Sequence, residues 1–248
     1  MMGWISPISC VSPLPDFGLA GFSAAFTDAG GGTPVSRYGN FNLGDYVGDD
    51  PVQVEDHRQA LREWARTPVV WMNQTHSSEV AVVTDVSQRG PVNADGVIVG
   101  EGLAAAVLVA DCIPVLIATD TQYCAAVHAG RRGISLNIIK VAAEKLRKLG
   151  ATQLQAALGP HICAKHYEVD QQTYTEMCDV WPMAAASTAL GTLALNLGAV
   201  ARTQLEQSGV VLAHEDSRCT FEHQELYSYR RSGRTGRQCG IIVSPPSS

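Results

Sequence analysis

The stretch Val107–Gly133, VLVADCIPVLIATDTQYCAAVHAGRRG, contains two apolar segments separated by a short polar turn. The first segment has the composition of one buried strand interrupted by Asp111 and Cys112, and the second ends in His128 followed by Ala-Gly. A carboxylate, a thiol and an imidazole cost free energy in a buried strand unless something pairs with them. We therefore expect these three residues to have a function.

The rest of the chain mixes strand and helix patterns without strict alternation. Apolar runs predict strands at 68–72, 79–86, 96–100, 104–110, 114–120, 123–130, 155–160, 210–214, 226–231 and 239–244. Periodic segments predict helices at 51–65, 133–149, 171–180 and 193–207. The first of these helices has Asp50 as a good N-cap and Pro51 in its first turn. This mixture predicts an α/β protein with a mixed sheet and helices packed outside it.

Length and composition are typical of a globular protein. The chain has 248 residues, of which 46% are hydrophobic and 17% are charged. A core of this size needs no disulfide staples. We expect one domain over 1–248, with a partly loose N-terminal segment in the Pro-, Ser- and Gly-rich residues 1–20.

Charge and hydropathy exclude several classes of protein. The net charge of −6 argues against a general nucleic-acid binder. No Lys or Arg precedes Arg37, which argues against a secretory signal, and the apolar run Leu103–Ala110 is far shorter than the roughly 18 residues of a membrane span. No exposed apolar stripe or heptad is evident. These features predict a cytoplasmic monomer that binds neither nucleic acid nor a membrane.

The seven cysteines do not form a recognisable disulfide or zinc-finger pattern. Their number is odd and no Cys-x-x-Cys pair occurs. Most are expected to be small hydrophobic residues of the core.

Three residues share one setting at the ends or breaks of predicted strands. His76 follows the strand at 68–72. Cys112 interrupts the apolar segment that begins at Val107, and His128 ends the strand at 123–130. If these strands are neighbours, the three side chains can converge. Two imidazoles and one thiolate suit Zn²⁺ and leave a fourth position open, as in catalytic zinc sites. Asp111, beside Cys112, could orient a ligand or act as a base.

The same residues allow two other interpretations. Cys112 and His128 could form a thiolate–imidazole pair with Cys112 as nucleophile. Alternatively, the histidines are hydrogen-bonded structural residues and Cys112 is a core thiol. Metal content distinguishes the first two interpretations.

Several segments carry a resemblance to a known family. The strings VADCIPVL (109–116), AAVHAG (125–130) and WMNQTHSSEV (71–80) resemble characteristic segments of the YfiH/laccase-domain family. The resemblance continues, in order, through YGNFNLGDYVGDDP, NADGVIVG, LGPHICAKHYEV and CTFEHQELYSYRRSGRTGR. It extends from about residue 20 to residue 244.

The resemblance implies a fold, a metal and a set of activities. The implied fold is a single αββα sandwich with a mixed β-sheet, similar to toxin-type cysteine hydrolases. The implied zinc ligands are His76, Cys112 and His128, so that Cys112, Asp111 and His128 become the catalytic candidates. The implied activities are phosphorolysis of adenosine, inosine, guanosine and methylthioadenosine, and deamination of adenosine. Peptidoglycan-precursor editing, which is an amide hydrolysis, and polyphenol oxidation with copper are the alternatives, as is a binding protein without catalysis.

This sequence departs from the family pattern at three positions. Ala29 stands where an Arg is expected, Ser77 replaces a Gly, and Arg131 replaces a Trp. Arg37, in the Gly-rich loop, could replace the arginine missing at Ala29. Arginines give bidentate contacts to phosphate. The candidates for contact with substrate or phosphate are therefore Arg37, Asn42, Arg132, Arg230 and Arg231.

The histidine pattern argues against a multicopper laccase. Such an oxidase needs many histidines, often as His-x-His pairs. The chain has seven histidines and none is in such a pair.

Overall fold

The structure is a computed structural model that describes residues 10–14, 21–31, 36–85, 87 and 91–245. These residues form two large β-sheets and two small ones. The first large sheet has, in spatial order, β1 (Val11–Pro13), β2 (Ser23–Thr27), β15 (Gln238–Val243), β8 (Ala104–Val109) and β3 (Val69–Val70). The second has β14 (Val211–Glu215), β11 (Leu154–Leu158), β9 (Ile113–Thr119), β10 (Cys124–Ala129), β7 (Gly96–Val99) and β5 (Val80–Val83).

Both large sheets are mixed. Most neighbouring strands are antiparallel, whereas β3 with β8, β5 with β7, and β11 with β14 are parallel. The two small sheets pair β4 (Met72–Asn73) with β6 (Val92–Asn93) and β12 (Ala185–Ser187) with β13 (Leu193–Leu195). The helices are α1 (Pro51–Ala65), α2 (Arg131–Ser135), α3 (Ile138–Lys148), α4 (Gln171–Val180), α5 (Leu197–Gln207) and α6 (Tyr229–Ser232).

The segment around Asp111 connects the two large sheets. β8 belongs to the first sheet and β9 to the second, and the chain turns between them at Asp111, which has a φ of 93°. The strands predicted at 104–110 and 114–120 are confirmed, whereas the interpretation of Asp111 and Cys112 as a break within one strand is wrong. Every residue of both strands is buried, as in strands covered on both faces, so hydrophobicity alone does not reveal the change of sheet.

Three hydrophobic clusters separate four layers. Between the two sheets lie Ala105, Val107 and Val109 of β8 with Leu116 and Ala118 of β9. Between the second sheet and its helices lie Ile113, Val115 and Ile117 of β9 with Ile138, Ile139, Leu146, Val200 and Leu205. Between the first sheet and α1 lie Ala104, Ala106, Leu108, Leu61 and Ala65. This order, helix, sheet, sheet, helix, confirms the αββα sandwich.

The helix at 51–65 agrees with its prediction. The Asp50 side chain accepts a hydrogen bond from Val52 N at 2.9 Å, which satisfies an amide of the first turn. The buried residues of α1 are Val54, Leu61 and Ala65, which lie on one face.

Other elements differ from their predictions. The predicted helix 133–149 consists of α2 and α3, because Asn137 adopts a left-handed φ of 62° between them. The predicted helix 193–207 begins as strand β13 and becomes helical only at Leu197. The predicted strand 226–231 is wrong, because Ser228 accepts a hydrogen bond from Arg231 N and starts α6.

The loose segment predicted for residues 1–20 lies outside the described residues except for 10–14, which contain β1. Residues 32–35 of the Gly-rich loop also lie outside them. Within the described part of the chain, every helix is too short or too polar to cross a membrane.

Candidate metal centre

Asp95 organises the loop that carries His76. Its buried carboxylate accepts hydrogen bonds from the backbone N–H groups of Thr75 at 3.1 Å, His76 at 2.9 Å and Ser77 at 2.7 Å. The Ser77 hydroxyl donates a further hydrogen bond at 2.8 Å. His76 has a φ of 60°, a left-handed conformation that costs free energy and that these hydrogen bonds hold in place.

Asp95 also orients His128. The Nδ1 atom of His128, which is buried near the end of β10, lies 2.8 Å from Asp95 Oδ1. Burial by itself raises the pKa of Asp95, but hydrogen bonds from His128 and Ser77 outweigh it and hold the pKa well below its usual range. A carboxylate on one ring nitrogen fixes the tautomer and leaves the other nitrogen for a metal.

Cys112 completes a group of three ligands. Its half-buried Sγ, directly before β9, lies 3.9 Å from His76 Nε2. The rings of His76 and His128 meet edge to face with centroids 4.7 Å apart. One ligand atom from each residue lies within 4.8 Å of the others. The prediction that these three side chains converge is confirmed.

Gly130 has no side chain, and the three ligands lie close to the space that a side chain there would fill. A Cβ atom at this position would lie 3.0 Å from Cys112 Sγ, 3.0 Å from His76 Cδ2 and 3.5 Å from His128 Cε1. The ligands and the glycine therefore form a cradle that a larger residue would fill.

The electrostatics of the group favour a thiolate. Burial raises the pKa of Cys112, but His128 and His76 outweigh it and lower the pKa to about 6. Burial lowers the pKa of His128, but Cys112 and Asp95 outweigh it and raise the pKa to about 9. Since a thiolate is both the metal-binding and the nucleophilic form of cysteine, the pair suits either chemistry. The donor set, two imidazoles and one thiolate with an orienting carboxylate, fits a metal such as zinc.

Asp111 connects this centre to two later loops. Its Oδ1 accepts a hydrogen bond from Thr220 Oγ1 at 2.6 Å, and its Oδ2 accepts one from Arg230 N at 2.7 Å. Its backbone carbonyl accepts a hydrogen bond from Ile162 N at 3.0 Å. Both carboxylate oxygens thus hold neighbouring structure in place.

The three ligands line a cleft of about 390 Å³ that contains aromatic and basic side chains. The guanidinium of Arg230 lies over the ring of Tyr167, 5.1 Å from its centroid, and that of Arg237 lies over Tyr46 at 5.6 Å. The other lining residues are Gln74, Leu108, Val109, Ala110, Asp111 and Tyr229.

Of the predicted substrate contacts, only Arg230 lies in this lining. Arg37 and Arg132 are exposed elsewhere on the surface. The Arg231 guanidinium donates to four backbone carbonyls, those of Thr220, Phe221, His223 and Leu226. Asn42 is buried, and its Oδ1 accepts a hydrogen bond from Arg237 N at 2.8 Å. Arg37, Arg132 and Arg231 thus lie outside the lining of the cleft, and Asn42 is connected to it by its hydrogen bond with Arg237.

Sequence reasoning missed Asp95 and Arg237. Asp95 stands directly before β7 in NADGVIVG, and Arg237 stands directly before β15. Both lie in segments that carry the family resemblance, and this was the feature of the sequence that could have identified them.

The protein is thus an αββα sandwich with a candidate metal centre, formed by His76, Cys112 and His128, where the chain passes from one sheet to the other. The sequence profile of the family described as multi-copper polyphenol oxidoreductase laccase matches residues 23–245, and the chain belongs to this family. This confirms the resemblance to the YfiH/laccase-domain family.

Relatives with known names cover most of the chain. A purine nucleoside phosphorylase of Corynebacterium glutamicum is 40% identical over 229 residues, which are 89% of this chain and 93% of that protein. One of Streptomyces coelicolor is 41% identical over 225 residues, covering 88% and 93%. The crystal structure of the Bacillus licheniformis hypothetical protein YfiH superimposes with a TM-score of 0.81 at 25% identity, covering 90% of this chain and 92% of that one.

Proposed function

We propose that this protein is a zinc-dependent purine nucleoside enzyme. Its activities would be phosphorolysis of adenosine, inosine, guanosine and methylthioadenosine, and deamination of adenosine. The observation that carries the proposal is one cleft that combines His76, Cys112 and His128 with aromatic rings and arginines. The names of the relatives support the same substrate class.

The residues of the cleft suit a nucleoside and a phosphate. The rings of Tyr46, Tyr167 and Tyr229 offer faces against which a purine can stack. Arg230 and Arg237 each bond backbone carbonyls through Nη1, which leaves further N–H donors for a phosphate.

His76, Cys112 and His128 would hold the zinc, which when bound would supply a Lewis acid beside the substrate. Asp95 keeps His128 in the ligating tautomer through its hydrogen bond to Nδ1. Asp111, through its bond to the Arg230 amide, positions an arginine of the cleft and the turn before Cys112. We therefore assign Asp111 a positioning role instead of proton transfer.

The test compares wild type with Cys112→Ala in zinc content and adenosine turnover. We expect the variant to lose one zinc equivalent per chain and both activities, because the thiolate ligand is removed. Chromatography separates the products, which are adenine and ribose 1-phosphate with phosphate present and inosine without it. A variant that keeps full turnover without that zinc would overturn the proposal. Cys178→Ala, which makes the same change at a half-buried cysteine outside the ligand groups, is the matched control and should behave as wild type.

A second candidate function is amide hydrolysis with Cys112 as nucleophile, for example on a peptidoglycan precursor. The observation that favours it is the series Cys112, His128 and Asp95, in which the pKa of the thiol is about 6. The sulfur would attack the amide carbon, His128 would protonate the leaving amine, and water would then hydrolyse the thioester. Turnover of a nucleotide-linked muramyl amino acid that survives chelation but not thiol alkylation would favour this function. Copper in the metal analysis would instead favour polyphenol oxidation.

A further inference from the structure

A second group of metal-ligating side chains lies outside the cleft described above. Cys163, His166 and Cys219 offer ligand atoms that lie within 4.8 Å of one another. His166 Nδ1 is 3.2 Å from Cys163 Sγ and 3.7 Å from Cys219 Sγ. Glu222 Oε1 lies 3.6 Å from the same nitrogen but not within 4.8 Å of both sulfurs, so its half-exposed side chain would turn toward a bound metal. We propose that these four residues bind a second, structural zinc ion.

The distances from His166 Nδ1 to the other three residues are close to those between ligands of a tetrahedral zinc. Zn–S bonds of about 2.3 Å and Zn–N or Zn–O bonds of about 2.0–2.2 Å place neighbouring ligand atoms about 3.3–3.8 Å apart at tetrahedral angles. The separations of His166 Nδ1 from two sulfurs and one carboxylate oxygen, 3.2, 3.7 and 3.6 Å, lie around this value. Two thiolates, an imidazole and a carboxylate are a donor set that zinc accepts and that leaves no open position.

The backbone presents the four ligands from two matching turns. The carbonyl of Cys163 accepts hydrogen bonds from the N–H groups of His166 at 3.1 Å and Tyr167 at 3.2 Å. The carbonyl of Cys219 accepts them from Glu222 at 3.1 Å and His223 at 3.0 Å. Each turn thus pairs a cysteine with a second ligand three residues later. Short spacings of this kind recur in structural zinc sites.

One hydrogen bond and one ring contact hold the group in position. The Cys163 N–H donates to Cys219 Sγ at 3.3 Å, a hydrogen bond that stabilises negative charge on sulfur. The ring of Phe221 stacks on His166 with centroids 4.5 Å apart, which fixes the plane of the imidazole. Cys163, Cys219 and Glu222 also line a separate cleft of about 360 Å³, which provides a path for the metal.

The second zinc would stabilise residues that line the first cleft or contact its lining. Thr220, next to Cys219, donates to the Asp111 carboxylate, and Ile162, next to Cys163, donates to the Asp111 carbonyl. Tyr167, next to His166, lines the first cleft. The zinc therefore cross-links two loops that meet at Asp111. This role does not depend on which substrate the protein uses.

Metal stoichiometry separates the two sites. Protein purified without affinity metal from zinc-supplemented medium is measured by mass spectrometry as wild type, Cys112→Ala, Cys163→Ala and the double variant. We expect about two zinc ions per chain in wild type, about one in each single variant and none in the double variant. If the first centre binds no zinc, wild type and Cys112→Ala will contain the same amount of zinc. If the second site binds no zinc, wild type and Cys163→Ala will contain the same amount.

Thiol labelling gives a second readout on the native protein. We expect alkylation of Cys163 and Cys219 to rise at least tenfold when a chelator removes the zinc. Cys178, which is half-buried and outside both groups, is the control and should label equally with and without chelator. A Cys163–Cys219 disulfide in peptides from non-reduced protein, or labelling that is indifferent to the chelator, would overturn the inference.

Glu222→Gln covers the case in which a cysteine variant does not fold. Glu222 is half exposed, so its substitution leaves the packing of the two turns intact. Loss of an anionic ligand should weaken zinc binding at this site at least about tenfold, since even the loss of a group that only orients a ligand costs about that much, measured by competition with a coloured chelator in the Cys112→Ala background. Unchanged affinity together with unchanged zinc content in Cys163→Ala would contradict the proposed site.

Discussion

At the scale of single residues, the candidate centre depends on two residues that bind no metal themselves. Asp95 joins the His76 loop to His128 through one buried carboxylate. Gly130 keeps a Cβ atom out of the space beside Cys112 and His76. The ligands are held in a geometry that neither their own strands nor their spacing in the chain would impose.

Gly130→Ala tests this point. The new methyl group would lie 3.0 Å from Cys112 Sγ and from His76 Cδ2, so one ligand must move. We expect zinc affinity at this centre to fall about 10- to 100-fold, measured by chelator competition in the Cys163→Ala background.

Gly31→Ala is the matched control for this change. A Cβ atom at Gly31 has no neighbour within 4 Å in the described structure, so the same chemical change should leave zinc affinity as in wild type. Equal affinities of the two variants would show that the space beside Gly130 is not needed for the metal.

At the scale of elements, the side chain of Asp120 joins two neighbouring strands of the second sheet by hydrogen bonds. Asp120, after β9, accepts hydrogen bonds from the N–H groups of Thr152 at 2.9 Å and Gln153 at 3.1 Å, just before β11. Hydrogen bonds from Thr152 and Gln153 lower the pKa of Asp120 to about 2. The turn and the strand are thereby held together by an ionised carboxylate.

Asp120→Asn should reduce stability in a pH-dependent way. A carboxyl group whose folded pKa lies below its unfolded value of about 3.9 stabilises the folded state above that value, and the contribution disappears as pH falls through the folded pKa. The urea concentration at the unfolding midpoint should therefore be higher for wild type than for Asp120→Asn at pH 7. This difference between the two midpoints should shrink between about pH 4 and pH 2. A difference that stays constant over this range would contradict the role of the ionised group.

At the scale of the whole molecule, four layers enclose the cores and place the metal centre where the chain passes between sheets. The exposed large apolar side chains of the described residues come from several separate segments of the chain, among them Tyr46, Val52, Leu136, Leu190 and Val211. That residues 1–248 form one domain, and that the protein is a cytoplasmic monomer that binds no nucleic acid, stay predictions.

Light scattering during gel filtration tests the oligomeric state. We expect a single species of 26.4 kDa, because the exposed large apolar side chains of the described residues come from several separate segments of the chain. A species of twice that mass, constant on dilution, would show that a surface of this chain mediates dimerisation.

Local sequence determined the parts of this protein that depend on neighbouring residues. Helix α1 followed from Asp50, Pro51 and a periodic apolar face. The three ligands were visible because each stands at the end or at a break of an apolar segment, and the αββα fold followed from the family resemblance.

Only the tertiary structure decided how these parts meet. Strands β8 and β9 are apolar on both faces, so their sequences could not show that they lie in different sheets. Asp95 resembles any turn residue before a strand until the hydrogen bonds to His76 and His128 are known. The second group of ligands joins residues 163 and 219, which are far apart in the chain. Contacts of this kind arise from packing, which the spacing of residues along a chain does not encode.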